Sequence, residues 1–131
     1  TPGKLKDAIL RAQLIRFLPT GAARPTVDNV LSKLGVAEAV KGRTGGLIGG
    51  NSTEPMPGAG QYELIFNLDS ELLTPPPGQV YLGSIPKELQ VPAVMTAGIG
   101  VKGDTAAARS IVDFLQSSAL DPVLKSSRMT R

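Results

Sequence analysis

Apolar residues recur three and four positions apart in three stretches of the chain, which is the spacing of one face of a helix. The stretches are residues 3–12, 24–35 and 105–118. Pro25 suits the first turn of the middle stretch, and Gly35 suits the position just after its last turn. The spacing therefore predicts three amphipathic helices. Their apolar faces are Leu5, Ala8, Ile9 and Ala12; Val27, Val30, Leu31 and Leu34; and Ala108, Ile111, Val112 and Leu115.

Short apolar runs without helical spacing lie between these helices and predict strands. They are residues 13–18, 44–48, 62–68 and 79–85. A further run, VPAVMTAGIGV at 91–101, does not alternate, which is typical of a strand covered by helices on both faces, and Pro92 confines this strand to the residues after it. Strands that alternate with helices predict an α/β fold with a mostly parallel sheet.

Aspartate stands where three helical segments begin. Asp104 precedes the helix over residues 105–118, and Asp69 opens a helical turn that follows a predicted strand. Asp121 stands before Pro122, which suits the first turn of a new helix. Because aspartate at this position accepts hydrogen bonds from unpaired backbone N–H groups, we expect all three side chains to cap helices.

Length and composition indicate one folded domain with a buried core. The chain has 131 residues, of which 41% are hydrophobic and 19% charged. Its 14 Lys and Arg residues exceed its 11 Asp and Glu residues by three, and they are scattered along the chain. Only three Phe, two Tyr and no Trp accompany them, so a base-stacking surface and nucleic-acid binding are not expected.

The absence of Cys and His limits the chemistry that the chain can perform. It excludes thiolate nucleophiles, imidazole-dependent triads and Cys/His metal sites, and we expect no cofactor. No apolar run approaches the roughly 18 residues of a membrane span, and no signal peptide opens the sequence, so membrane insertion is not expected. Because residue 1 is Thr, we expect the gene product to begin upstream of it.

Two loops that follow predicted strands are candidate anion sites. The first, PTGAARPT at residues 19–26, contains Gly21, Arg24 and Thr26 and leads into the middle helix. Unpaired N–H groups at a helix start favour anions, and a guanidinium adds a fork of donors. The alternative is an ordinary helix entry with a solvated arginine.

The second loop belongs to the glycine-rich stretch GGLIGGNSTEPMPGAG at residues 45–60. Gly50 permits close approach of the backbone to a ligand, while Asn51 and Ser52 offer polar side chains. Asn51 with Glu54 equally suits a capping box on a short helix. Neither loop matches a phosphate-binding GxxxxGKS or GxGxxG motif, so a nucleotide site is not expected.

A third polar segment, NLDSE at residues 67–71, contributes Asn67 and Ser70 as candidate ligand contacts. Asp69 and Glu71 raise the question of acid–base catalysis. Residues two apart on a helical turn do not face one another, and acids in a first turn complement the helix dipole. The spacing therefore favours a structural role, and we assign no catalytic residue.

Six segments follow one another along nearly the whole chain: TPGKLKDAILRAQLIRF, VDNVLSKLGVAEAVKGRT after a loop of small residues, a loop containing GG, YELIFNLDSELL, GSIPKELQ and TAGIGVKGDTAAARSIVDFLQSS. Their order and spacing resemble the molybdate-binding-protein-like family of bacterial extracellular solute-binding proteins, which have the type II periplasmic-binding-protein fold. In that family two α/β lobes close on a molybdate-like oxyanion or a small carboxylate, which is delivered to an ABC permease. The resemblance implies a periplasmic protein without chemistry of its own.

The resemblance also implies how the chain is divided. Residues 1–90 correspond to the second lobe, and residues 91–131 to the strand and helices that return to a first lobe outside this sequence. The segments implied to face the ligand cleft are Gly21–Thr26, Gly49–Ser52 and Asn67–Ser70.

Two alternatives stay open. A few members of the family isomerise tricarboxylates such as aconitate, and a side chain of Asp69 or Glu71 pointing into the cleft would favour that activity. The chain could also be a stand-alone lobe that acts as an interaction module. Because the returning segment lacks its usual partner, we expect a dimer or higher oligomer with Val94–Gly100 and the face of Ile111, Phe114 and Leu115 in the contact, rather than a monomer.

Overall fold

The computed structural model of the protein describes residues 1–46, 63–75 and 77–131, which form two compact units, Thr1–Ala93 and Val94–Arg131. The candidate residues Gly50, Asn51 and Ser52 lie outside the described residues. In chain order, the helices and strands are α1 (Pro2–Arg11), β1 (Leu14–Phe17), α2 (Arg24–Lys33), α3 (Ala37–Val40), β2 (Thr44–Gly46), β3 (Glu63–Ile65), α4 (Thr105–Gln116) and α5 (Asp121–Ser126).

The three strands form one parallel sheet in the order β2-β1-β3. Ile15 of the central strand pairs with Thr44 on one side and with Leu64 on the other. The prediction of a mixed α/β fold with a parallel sheet is thereby confirmed. The third strand is shorter than its apolar run, since only Glu63–Ile65 pairs with β1 among the described residues of that run.

The core of the first unit lies on one face of this sheet. Ile15 and Phe17 alternate with Leu14 and Arg16 along β1, so the first pair shares a face with Leu64 and Phe66 from the neighbouring strand. The helices α1 and α2 cover that face with the apolar stripes that their spacing predicts. The buried hydrophobic residues are Ile9, Ala12, Ile15, Phe17, Val27, Val30, Leu31, Val36, Val40, Leu64, Phe66 and Leu89.

Helix α2 ends where Gly35 is predicted to stop it. Gly35 has φ of +65°, a left-handed conformation that glycine adopts without steric cost. The Gly35 N–H donates to the Ser32 carbonyl, and the Val36 N–H donates to the Leu31 carbonyl, each over 3.0 Å. These two bonds form a Schellman motif, which turns the chain so that the buried Val36 packs into the core.

One face of α2 also holds a segment that is distant in sequence, residues 88–91. The Asn29 amide donates to the Leu89 carbonyl over 2.7 Å, and the Lys33 ammonium donates to the Glu88 carbonyl over 2.9 Å. The Thr26 hydroxyl donates to the Val91 carbonyl over 2.8 Å and accepts from the Val91 N–H over 3.0 Å. These side chains stand three and four positions apart, so one helix face binds the segment and seats Leu89 in the core.

Thr26→Val is expected to lower the free energy of unfolding by about 1–2 kcal/mol, because both hydrogen bonds to Val91 are lost while the volume is kept. Urea denaturation measures this loss, and hydrogen exchange of the Val91 amide reports it locally. Thr26→Ser keeps the hydroxyl and is the control. A serine variant as unstable as the valine variant would show that the methyl group, not the hydroxyl, holds the segment.

Two predicted strands are wrong. Residues 79–85 form neither a helix nor a strand, and Val80 and Leu82 are 78% and 75% exposed. Residues 94–101 also pair with no described strand, and Val94 and Val101 are 80% and 96% exposed. Apolar composition favours strand formation only where a neighbouring strand supplies hydrogen bonds, and the described part of the chain offers none to these two runs.

The three predicted aspartate caps have different outcomes. Asp104 does cap α4, since its carboxylate accepts from the Ala107 N–H over 2.9 Å. Asp69 lies inside a 3-10 turn, Asp69–Glu71, and its side chain makes no capping bond. Asp121 is the first residue of α5 and instead pairs with Arg131 over 2.8 Å. The predictions for Asp69 and Asp121 are wrong because both carboxylates bind other side chains.

The second unit consists of an extended segment followed by α4 and α5. None of its residues, Val94–Arg131, is buried in the structure. The Arg131 guanidinium donates to the carbonyls of Gln116 and Ser117 and to Asp121, which joins the end of the chain to the connection between the helices.

Candidate functional site

The carboxyl ends of β1 and β3 meet at one edge of the sheet and carry most of the described candidate residues. The Phe66 N–H donates to the Arg16 carbonyl over 2.9 Å, so the ladder between these strands extends one residue past β3. The chain then leaves the sheet at Leu18 after one strand and at Asn67 after the other. The turn that contains Gly21 and the start of α2 at Arg24 therefore lie on the same edge as Asn67.

Glycine is required at position 21 because the turn brings this residue close to the Leu18 side chain. Its N–H donates to the Leu18 carbonyl over 3.1 Å. A Cβ atom built on Gly21 would lie 2.9 Å from both Cβ and Cδ2 of Leu18, a distance at which something must shift. Only glycine fits this turn without displacing Leu18, so the tight turn fixes where α2 begins.

Arg24 is held at the entrance to α2 by three contacts. Its Nε lies 2.8 Å from both carboxylate oxygens of Asp28, one helical turn later. Its guanidinium carbon lies 5.1 Å from the centroid of the Phe17 ring, and Nη1 donates to the Pro19 carbonyl over 3.5 Å. A cation over an aromatic ring is an attractive arrangement. The guanidinium is therefore positioned beside the last residue of β1.

Thr26 and Asn67 both use their side chains within the protein. The Thr26 hydroxyl donates to the Val91 carbonyl and accepts from the Val91 N–H. Its proton is therefore already used in a hydrogen bond within the protein. The Asn67 side-chain oxygen accepts from the Leu68 N–H over 2.9 Å, which leaves the amide NH₂ as the donor that this side chain can offer. Ser70 lies in the 3-10 turn directly after this segment.

A cavity of about 310 Å³ opens beside Asn67. The first turn of α1 forms one wall with Lys4 and Leu5, and the end of β3 forms another with Phe66. Residues after the sheet, including Leu72 and Ile85, complete a lining that is mostly apolar. The first turns of α1 and α2 both lie toward the carboxyl edge of the sheet, where helix N-termini favour negative charge.

Asp69 stands in the wall of this cavity and binds two hydroxyl groups. The Ser84 hydroxyl donates to one carboxylate oxygen over 2.6 Å, and the Tyr81 hydroxyl donates to the other over 3.1 Å. The two hydroxyl oxygens are themselves 3.1 Å apart. These hydrogen bonds join residues 81–84 to the turn after β3, so the Asp69 side chain has a structural role. Tyr81 and Ser84 lie 12 and 15 residues after Asp69, so no local pattern in the sequence indicates these hydrogen bonds.

A buried ion pair lies on the opposite face of the sheet from the core. Arg16, in the middle of the central strand, is only 4% exposed. Its Nη1 donates to the Glu63 carboxylate over 3.3 Å, and its Nε has no hydrogen-bond partner among the described residues. The sequence analysis did not predict this pair, although an arginine inside the apolar run LIRF is typical of a charged group that needs a partner.

The described residues contain neither a cluster of acidic side chains suited to a metal ion nor a helix long and apolar enough to cross a membrane. The chain matches no family model, no curated protein and no solved structure.

Proposed function

We propose that this chain is the second lobe and returning segment of a type II periplasmic solute-binding protein that captures a small anion for an ABC transporter. One observation carries the proposal: Arg24 is held at the carboxyl end of the central strand, and the neighbouring strand β3 ends at the same edge of the sheet before Asn67. The order of segments that resembles the molybdate-binding-protein-like family supports the same assignment.

The sheet order supports an anion site at this edge. In the order β2-β1-β3, the first crossover leads to one side of β1 and the second leads to the other side. The loops after β1 and β3 therefore diverge, and ligands of open α/β sheets bind in the crevice that such a reversal opens. At the start of α2, Arg24 adds a guanidinium, which is also paired with Asp28.

The separation of the chain into two units fits the same proposal. Every buried core residue in the described part of the chain lies within residues 1–93, and none lies within residues 94–131. In a two-lobed binding protein, the returning segment packs on the first lobe. The second lobe is therefore expected to have its own core, and the returning segment by itself is expected to have none.

Arg24→Ala is expected to weaken anion binding by tenfold or more, since hydrogen bonds to charged groups contribute about 1.5–3 kcal/mol. Isothermal titration calorimetry of the 131-residue chain with molybdate, sulfate, citrate and aconitate measures the effect. Asp28→Asn is the matched control, because it removes the intramolecular partner and leaves the guanidinium in place.

The two possible failures are distinguishable. Equal affinities for the wild type and Arg24→Ala would mean that the site is assigned to the wrong residues. A wild-type chain that binds no member of the panel would overturn the proposal of anion capture.

A further inference from the structure

Two charged side chains of the described residues, Lys4 and Asp69, line the cavity beside Asn67, and of these the one without a partner is positive. Asp69 and Ser84 hydrogen-bond to one another and to Tyr81, so the negative group in the wall already has its donors. The Lys4 ammonium, in contrast, makes no hydrogen bond or ion pair with any residue in the described ranges 1–46, 63–75 and 77–131. Lys4 also lies in the first turn of α1, at the positive end of the helix dipole.

More of the cavity lining is apolar than polar, and the cavity is larger than an inorganic oxyanion needs. Leu5, Phe66, Leu72 and Ile85 contribute hydrocarbon surface to a volume of about 310 Å³. This volume lies at the lower end of pockets that hold small organic molecules, and it equals the share of about ten water molecules in the liquid. A tetrahedral oxyanion would leave most of the apolar wall in contact with water.

We infer that this cavity binds a small monocarboxylate with an apolar body. The carboxylate pairs with Lys4 and accepts from the Asn67 amide, while the hydrocarbon part packs on Leu5, Phe66 and Leu72. A dicarboxylate is disfavoured because its second charge would face either the apolar wall or the Asp69 carboxylate. The inference rests on the proposed function in placing an anion at this edge of the sheet, but it assigns the contact to Lys4 and not to Arg24.

The hydrocarbon wall makes a quantitative prediction for ligand length. Each buried methylene contributes about 0.8 kcal/mol, so the affinity for straight-chain monocarboxylates is expected to rise roughly threefold to fourfold per added carbon from propionate until the cavity is full. Lys4→Gln is expected to lower the affinity for hexanoate about fivefold to tenfold and to leave the affinity for the uncharged hexanol unchanged.

Titration of the isotope-labelled chain, followed by amide chemical shifts, measures these affinities and locates the perturbed residues. Lys6→Gln is the matched control, because Lys6 lies on the same helix but outside the cavity lining. Retained hexanoate affinity in Lys6→Gln together with loss in Lys4→Gln supports the inference. An affinity independent of chain length, or an equal loss in both lysine variants, overturns it.

The same titrations separate this inference from the proposed function. If molybdate or citrate binds with a dependence on Arg24 while monocarboxylates do not bind, the proposed function stands and the inference fails. If no anion binds at either place, both fail. Binding of hexanoate that depends on Lys4 and is unchanged in Arg24→Ala establishes the cavity as the carboxylate site.

Discussion

Glu63→Ala is expected to lower the free energy of unfolding of the first unit by about 3 kcal/mol, a loss of more than roughly 10 °C in Tm. The Arg16 side chain is 5% exposed and that of Glu63 is 20% exposed, so the variant leaves a guanidinium buried without its counterion. The Arg16 Nε already lacks a described partner, so the guanidinium has little left to compensate for lost hydration. Chemical denaturation followed by circular dichroism measures the change.

A double replacement tests whether the loss comes from the unpaired charge. Arg16→Met with Glu63→Leu removes both charges and keeps most of the volume, and it is expected to unfold within about 1 kcal/mol of the wild type or to be more stable. Glu63→Gln keeps the shape and a hydrogen-bond acceptor, so it is expected to fall between the wild type and Glu63→Ala. If the double variant were as unstable as Glu63→Ala, lost packing and not the buried charge would be responsible.

The sequence predicts those helices and strands whose start, face and end are all marked by nearby residues. Helix α2 has an apolar stripe, Pro25 in its first turn and Gly35 after its end, and each of these acts through residues within one or two turns. The strand β1 was recognisable because it is short, apolar and bounded by turn residues. These signals do not depend on any distant part of the chain, so the sequence alone carries them.

The two strand predictions are wrong because strand formation depends on distant parts of the chain, which local composition does not report. Residues 79–85 and 94–101 have strand-like composition, but a strand also needs a neighbour that exchanges backbone hydrogen bonds with it. Residues 81–84 are held instead by side chains, through Tyr81, Ser84 and Asp69. Such contacts between distant residues have no period and no spacing, so composition cannot reveal them.

For the described candidate residues, the edge of the sheet at which they lie follows from the sequence, whereas their contacts do not. The order of strand and helix places Gly21, Arg24 and Asn67 at the carboxyl edge of the sheet, which follows from parallel topology. The partner of Arg24 was one helical turn away, where an i,i+4 pair with Asp28 is common. The cavity at Lys4 was not predicted, because its walls come from three segments that only the fold brings together.

Ile111→Asp is expected to convert a self-associating chain into a monomer. Ile111, Phe114 and Leu115 on α4 are 61%, 55% and 48% exposed, and no residue of the second unit, Val94–Arg131, is buried. An isolated helix of 12 residues is marginal in water, so α4 depends on packing for its stability. We therefore expect a second copy of the chain to cover this face.

The helix face is suited to pairing with itself. Ala107, Ile111 and Phe114 lie along one side of α4, and none of these three residues is charged. An antiparallel pair of such helices about a two-fold axis sets Ile111 of each copy against Phe114 of the other, so the large side chains meet at the centre of the contact.

The expected weakening in Ile111→Asp is about a thousandfold in the dissociation constant, because two isoleucines lose roughly 2 kcal/mol each and each introduced carboxylate is set against the Phe114 ring of the other copy. Light scattering at micromolar concentration measures the mass. Ala106→Asp introduces the same charge on α4 outside the face of Ile111, Phe114 and Leu115, and it is expected to leave the oligomer intact.

A mixing experiment separates loss of the contact from loss of the helix. Ile111→Lys alone is expected to be monomeric for the same reason as Ile111→Asp. An equimolar mixture of the two variants is expected to regain the oligomer, since opposite charges then meet near the two-fold axis. A wild-type chain with monomer mass, or a mixture that stays monomeric although each variant retains its helical circular dichroism, would mean that a second copy does not cover this face.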